Sequence, residues 1–156
     1  MATNALLVVQ NQLQAIDVTK IAEYSKKLRD IGSISKMMAP MYLRDFILAY
    51  DATNNLYASA IRCDIMATTA LDTVKSIAYL DKAKEYLVAR GIKESSEARK
   101  QYVDVDPDVI EAADVKAKTS ALVQLLRNKM QEFRMAHDDV KKMTYGDGYM
   151  SPDEGM

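Results

Sequence analysis

Three observations predict an all-α protein built of long helices in an extended bundle. Helix-breaking residues are sparse: glycine stands only at 32, 91, 146, 148 and 155, and proline only at 40, 107 and 152. Their placement is asymmetric, because proline is tolerated in a first helical turn and glycine favours the position just past a last one. Read that way, the intervals 40–90 and 107–143, free of both residues, are two long helices. The third observation is a heptad seam in the second interval. Val115, Thr119, Leu122, Leu126, Lys129, Phe133, Ala136, Val140 and Met143 follow alternating steps of four and three. At 1.5 Å per residue this helix is a rod of roughly 55 Å. Such a seam predicts oligomerisation through the C-terminal helix, with Leu122, Leu126, Lys129, Phe133 and Val140 at the subunit interface.

The elements follow in order. Residues 1–16 suit a short helix, although Leu7-Val8-Val9 also fits a strand. Asp17 is placed to cap a helix across 18–31 whose Ile21, Tyr24, Leu28 and Ile31 share one face, with Gly32 as its stop. Met37, Met38 and Met41 cluster near the next helix start, where core filling is the ordinary role of methionine and an adaptable binding surface the rarer one. In the long middle helix Leu43, Ile47, Tyr50, Asn54, Tyr57 and Ile61 keep one face; Ala70, Val74, Ile77, Lys84 and Leu87 resume a stripe. Between them, around Asp64–Thr69, the phase is ambiguous, so one kinked helix and two successive helices both fit. Ser95 or Ser96 caps a short helix into Tyr102, and Asp106 with Pro107 opens the C-terminal rod. The organisation expected is an N-terminal helical extension over 1–38, a helical core domain over 39–143 and a flexible tail over 144–156.

Composition removes several function classes. The 156 residues carry 21 basic and 22 acidic side chains, so no global field draws the chain to a polyanion, and any charge signal is local. A single cysteine excludes an intrachain disulfide and fits a reducing compartment. The opening Met-Ala-Thr-Asn has no basic residue, and the apolar run Ala5–Val9 meets Gln10-Asn11-Gln12 at once, so neither a secretory leader nor a membrane span is expected. The reading is a cytoplasmic protein that does not engage membranes.

Catalytic patterns are nearly absent. No glycine-rich phosphate loop occurs. Asp104, Asp106 and Asp108 mimic half of a calcium loop, yet Val109 holds its glycine position and Val115 its bidentate glutamate position. A helix start with surplus acid is the simpler reading. Cys63 and His137 are the one possible nucleophile–base pair; Cys63 is expected to pack as a small apolar group and His137 to lie beside Asp138. No enzyme, cofactor or metal is therefore expected.

Local charge is more suggestive. Residues 18–44 hold six basic and two acidic groups, and residues 115–134 hold five basic groups against Glu132 alone. Lys116, Arg127, Arg134 and Lys141 fall within about 20° of one line on an ideal helix. Lys129 interrupts the heptad seam, either snorkelling from its edge or fixing oligomer register. The segment Lys82-Ala-Lys84-Glu-Tyr86-Leu-Val-Ala-Arg90-Gly91-Ile-Lys93 mixes cations with an aromatic. Phosphates need cations and unpaired bases stack on rings, so this mixture suits single-stranded nucleic acid, with Lys82, Lys84, Tyr86, Arg90 and Lys93 as the candidate contacts. Taken alone, such a face is ordinarily solvated surface.

Several segments, in order, add a family resemblance. Tyr50-Asp-Ala-Thr-Asn-Asn-Leu56, the Lys82–Gly91 segment, and the stretch from Ser96-Glu97 through Asp106 and Val109 to Lys142-Met143 resemble the UvsY family, the recombination mediators of T4-like bacteriophages. Together they span roughly residues 50–143. The chain departs from the family pattern in about 25 additional residues before the matched region, and in Glu85 and fewer aromatics within the basic motif. The resemblance implies a non-enzymatic helical protein that forms a homo-oligomeric ring and binds single-stranded DNA. It also implies contact with a phage recombinase and a single-strand-binding protein, recombinase loading, and residence in the host-cell cytoplasm. Lys82, Lys84 and Arg90 would meet phosphates, with Tyr86 beside them. A helical scaffold or assembly adaptor that binds no nucleic acid is the competing expectation.

Overall fold

A computed structural model of the chain describes residues 2–146, with side chains from Asn4 onward. All regular structure among these residues is helical. In order come α1 (Ala2–Gln14), α2 (Thr19–Leu28), a 3-10 turn (Ile31–Ser33), α3 (Ala39–Ile77), a π-helical turn (Ala78–Lys82), α4 (Ala83–Ala89), α5 (Ser96–Val105) and α6 (Pro107–Tyr145). Leu7-Val8-Val9 is helix, not strand.

Local chemistry accounts for most boundaries. The Asp17 carboxylate accepts the Thr19 N–H at 2.9 Å, the Ser95 hydroxyl accepts that of Ala98 at 3.1 Å, and Asp106 accepts those of Asp108 and Val109 at 3.0 and 3.2 Å. Each satisfies donors that a helix start leaves orphaned. Gly91, at φ +65°, ends α4 with paired bonds from Gly91 N–H to the Val88 carbonyl and from Ile92 N–H to that of Leu87. Gly146, at φ +77°, closes α6 with a single bond, donating to the Lys142 carbonyl at 2.8 Å. Thr144 and Tyr145, assigned to the expected tail, are helical, and 147–156 lie outside the described residues. α2 stops at Leu28, short of Ile31, and Gly32 sits inside the 3-10 turn instead of at the helix end.

The middle helix shows no break around Asp64–Thr69. Among its buried side chains, Tyr42, Phe46, Ala49, Thr53, Ala60, Cys63, Ala67, Ala70 and Val74, with half-buried Leu56, follow one uninterrupted heptad seam. The face expected from Leu43 to Ile61 lies one position away on its flank, where Ile47 and Asn54 are exposed. The phase is ambiguous in the sequence because the seam here runs through Ala60, Cys63, Ala67 and Ala70, and alanine carries little hydropathy signal. After Ala78 the next buried positions are Ala83 and Leu87. The step of five is the single extra residue of a π-turn, which re-aims the face that follows. Ile77 and Lys84, assigned to the stripe by sequence, are exposed.

The chain divides into two compact units, to which α3 and α6 both contribute. The first comprises the residues up to Ile16 with Ser59–Val123; the second comprises Asp17–Ala58 with the residues from Gln124 on. In the first, Leu6 and Val9 of the N-terminal segment pack with Ala67, Ala70, Val74 and Ala78 and with Val109, Ala112 and Val115. In the second the core is aromatic. Phe46 and Phe133 stack with ring centroids 6.4 Å apart, Tyr24 meets Phe133 edge-on at 6.4 Å, and Tyr42 lies 6.0 Å from Phe46. Among the described residues no helix is long and apolar enough to cross a membrane.

This packing corrects the expected subunit interface. Leu126, Phe133 and Val140 are 1%, 0% and 0% exposed within the single chain, so their apolar surface is already used. Leu122 and Lys129 are half-buried, and Lys129 turns its ammonium to Glu132 of its own helix at 2.5 Å. The heptad seam is real, but its partner is this chain's own α3 and α2. Met37, Met38 and Met41 are corrected in the opposite sense: all three are exposed, not core.

Candidate nucleic-acid interface

The site expected from sequence lies on the π-turn, α4, α5 and their connection, all within the first unit. Cys63 and His137, the one possible catalytic pair, belong to different units. Cys63 is buried with Gln12 at 3.8 Å and its thiol is pushed up by burial, while His137 faces Asp138 at 3.3 Å.

Lys82 is not free for phosphate. Its ammonium donates to both Asp106 oxygens at 3.3 Å and to Asp108, tying the π-turn to the start of α6. Asp106 is buried and also accepts the Tyr102 hydroxyl at 3.0 Å. Burial pushes its carboxyl up, but Tyr102, the Val109 N–H and Lys82 together outweigh that and hold it below the usual carboxylate range. The Asp108 carboxylate is the main reason the Lys82 ammonium titrates higher than usual. The Tyr102 hydroxyl is raised, first by burial and then by its bond to Asp106. Lys82 is therefore already engaged within the fold, unlike the other candidates of its segment. Asp106 spends its oxygens on the same node, and among the described residues no three His, Cys, Asp or Glu side chains gather as a metal-ligand set.

The other four candidates fare differently. The Arg90 guanidinium lies 4.4 Å above the Tyr86 ring, and that ring contacts Tyr102 with centroids 4.9 Å apart. Lys84 and Lys93 are exposed and have no carboxylate partner among the described residues. The fold thus brings Tyr86 and Arg90 together and leaves two lysines unpaired in the same segment.

Sequence reasoning missed a second ring–cation set nearby. Arg99 lies 5.5 Å from the Tyr79 ring, donates to the Tyr79 carbonyl at 3.3 Å and pairs with Glu94. The Tyr79 hydroxyl lies 3.2 Å from that of Ser96. A groove of about 520 Å³ runs past Lys75, Ser76, Tyr79, Leu80, Lys100, Val103 and Asp104, so it has lysines, a ring and an apolar wall. The available signal was the pairing of two tyrosines, Tyr79 and Tyr86, with Arg99 and Tyr102 three apart on the next helix.

Of the basic line on α6, Lys116 is occupied elsewhere. It pairs with Asp64 at 2.6 Å, beside hydroxyls of Thr119 and Ser120 that reach the same carboxylate at 2.7 and 2.9 Å. Arg127 and Arg134 remain exposed. No family model, curated protein or solved structure matches the chain.

Proposed function

We propose that this chain is a non-enzymatic, single-stranded-DNA-binding recombination mediator that helps load a phage recombinase, the role its resemblance to the UvsY family implies. The observation that carries the reading is the ring–cation surface: Arg90 over the Tyr86 ring, Tyr102 in contact with that ring, and exposed Lys84 and Lys93. Lysines attract the phosphates, the guanidinium adds a planar stacking partner, and rings accept bases without regard to sequence. The groove with Lys75 and Lys100 extends the same chemistry. Contacts with a recombinase and a single-strand-binding protein belong to the proposal by resemblance alone. A homo-oligomeric ring does too, and it would have to close through exposed side chains such as Leu125 and Met135, since the α6 seam is occupied.

Anisotropy of a labelled oligothymidylate, titrated across salt concentrations, tests the reading. Affinity is expected to fall with salt, with a log–log slope of about −0.7 per phosphate contact. Tyr86→Ala and Arg90→Ala are each expected to weaken binding, by about 1–3 kcal/mol where a base stacks. Lys82→Ala should leave the slope unchanged, because its charge is already paired. No binding at low salt would reject the proposal. It would favour the second reading, a helical assembly adaptor, for which the exposed Leu80, Val88 and Val105 and the neighbouring acids Asp81, Glu85 and Asp104 speak.

A further inference from the structure

The start of α3 has two faces, and only one is used. Tyr42, Phe46 and Ala49 turn into the aromatic core. On another face Met37, Met41, Arg44 and Leu48 follow steps of four, three and four, and all four are exposed, Met37 to 90%. Met38 is exposed beside them. Met37 lies in the turn that precedes α3, closed by Met38 N–H and Ala39 N–H donating to the Ser35 carbonyl at 3.0 and 3.2 Å, and Met41 N–H and Tyr42 N–H then donate to the Met38 carbonyl at 3.1 and 3.3 Å. The stripe is therefore held in register and is not a frayed end.

Its chemistry is specific. Unbranched thioether side chains adapt to the contours of another surface, and methionine is over-used where a protein must grip a helix. Four-three-four spacing is the pattern by which one helix receives another. The cations on hand are Lys36 and Arg44, which are exposed and have no carboxylate partner among the described residues, whereas Lys27 is paired with Asp45. A lipid surface fits poorly, since interfacial helices present Trp or Phe on their apolar face, whereas the rings of this segment, Tyr42 and Phe46, are buried and Arg44 stands among the exposed Met37, Met41 and Leu48. Nucleic acid fits poorly as well, since the nearby rings of Tyr42 and Phe46 are buried and leave nothing for a base to stack on.

We propose that the Met37–Leu48 face docks an acidic amphipathic helix of a partner protein. Leu-type side chains of the partner would lie along Met37, Met41 and Leu48, and its carboxylates would face Lys36 and Arg44. The proposal does not depend on the nucleic-acid reading, because it uses other residues in the other unit.

The test uses the full chain and two fluorescein-labelled peptides of about 18 residues, five helical turns. One carries leucine at heptad spacing on a glutamate-rich background; the other has the same composition scrambled. The patterned peptide is expected to bind at least tenfold tighter than the scrambled one, about 1.4 kcal/mol. Met41→Glu and Leu48→Glu should each weaken it about tenfold or more, with an unchanged helical circular dichroism spectrum. As a second readout, the peptide should protect Met37, Met38 and Met41 from peroxide oxidation, read by mass spectrometry, while Met135, exposed elsewhere in the same unit, oxidises as before. Equal binding of the scrambled peptide, or unchanged binding by both variants, overturns the proposal. So does protection of the same methionines by phosphatidylglycerol vesicles, by oligothymidylate, or by a second copy of the chain in place of the peptide.

Discussion

The two units fill the space between the same pair of helices in opposite ways. In the second unit a few large rings do the work: Phe46, Phe133, Tyr24 and Tyr42 form a chain of aromatic contacts. In the first, α3 presents the small side chains Ala60, Cys63, Ala67 and Ala70, followed by Ala78 of the π-turn, all buried. Two polar nodes complete it, Asp106 with Lys82 and Tyr102, and Asp64 with Lys116, Thr119 and Ser120. An aromatic core rests on burial and dispersion, which depend little on pH. A small-residue core with ionic nodes depends on close fit and on protonation. The two units should therefore fail under different perturbations.

The largest effect is expected at the aromatic end. Phe133 is fully buried and touches both Phe46 and Tyr24, so Phe133→Ala removes the centre of the cluster. The expected loss is about 3–5 kcal/mol, transfer plus cavity. Chemical denaturation gives the value directly. A loss below about 1 kcal/mol would mean the cluster collapses freely around the deletion, and the contrast between units would lose its basis.

At the polar end, Asp106→Ala should cost about 2–3 kcal/mol: roughly 1 for the lost helix cap and 1–2 for the Tyr102 hydroxyl left without its acceptor. The pH dependence has a definite sign. Asp106 and Asp64 both hold their protons less tightly in the folded chain than usual, burial being outweighed by hydrogen bonds and by the lysine paired with each. Their contribution is present above the ordinary carboxylate range, near 4, and is lost as pH falls through the depressed folded values. Lys82 and Tyr102 shift upward, so their contribution holds below about pH 10 and is lost as pH rises through the raised values. Melting temperature should be flat between about pH 5 and 9 and fall on both sides. Asp106→Asn should shallow the acid limb. An acid limb identical to that of the unmodified chain would show that the node contributes nothing.

The small-residue seam gives a subtler case. Ala67 is fully buried among Ala70, Val74, Ala112 and Val115. Ala67→Leu should overpack it and cost about 1–3 kcal/mol, although leucine is the more hydrophobic residue and a good helix former. A stabilised variant would mean that the helices are not in close approach there.

Much of this architecture was legible in the residues. Pro107 with Asp106, Ser95, Asp17 and Gly91 marked helix ends, because capping is local chemistry that a short window contains. The α6 seam was legible for the same reason, since Leu126, Phe133 and Val140 are bulky and evenly spaced. The α3 seam was not, because alanine reads as neutral and its importance arises only when another helix comes close. Nor could spacing say which helix the α6 seam would meet. Intrachain and intersubunit partners ask for the same heptad, and only long-range packing decides. The candidate interface was half legible for a related reason. Tyr86 and Arg90 are four apart on one helix, whereas the pairing of Lys82 with Asp106 and Asp108 spans 24 and 26 residues and is invisible to local pattern.

The smallest expected effect is also the one that bears most directly on assembly. Lys129 stands in the α6 seam, where a buried polar residue would fix the register of associating subunits at a cost in stability. In the folded chain its ammonium instead reaches Glu132 on the same helix, three residues on, and that carboxylate is exposed. A pair between a half-buried lysine and an exposed carboxylate on one helix contributes about 0–0.5 kcal/mol, and the aliphatic stem that lines the seam is retained in methionine. Lys129→Met should therefore change stability by no more than about 0.5 kcal/mol in either direction. Its solution mass, by light scattering, should equal that of the unmodified chain. If the substitution raised stability substantially and shifted the mass, Lys129 would be a register-setting residue between subunits. The seam would then be shared with a second copy, and the occupancy of α6 by its own chain would have to be given up.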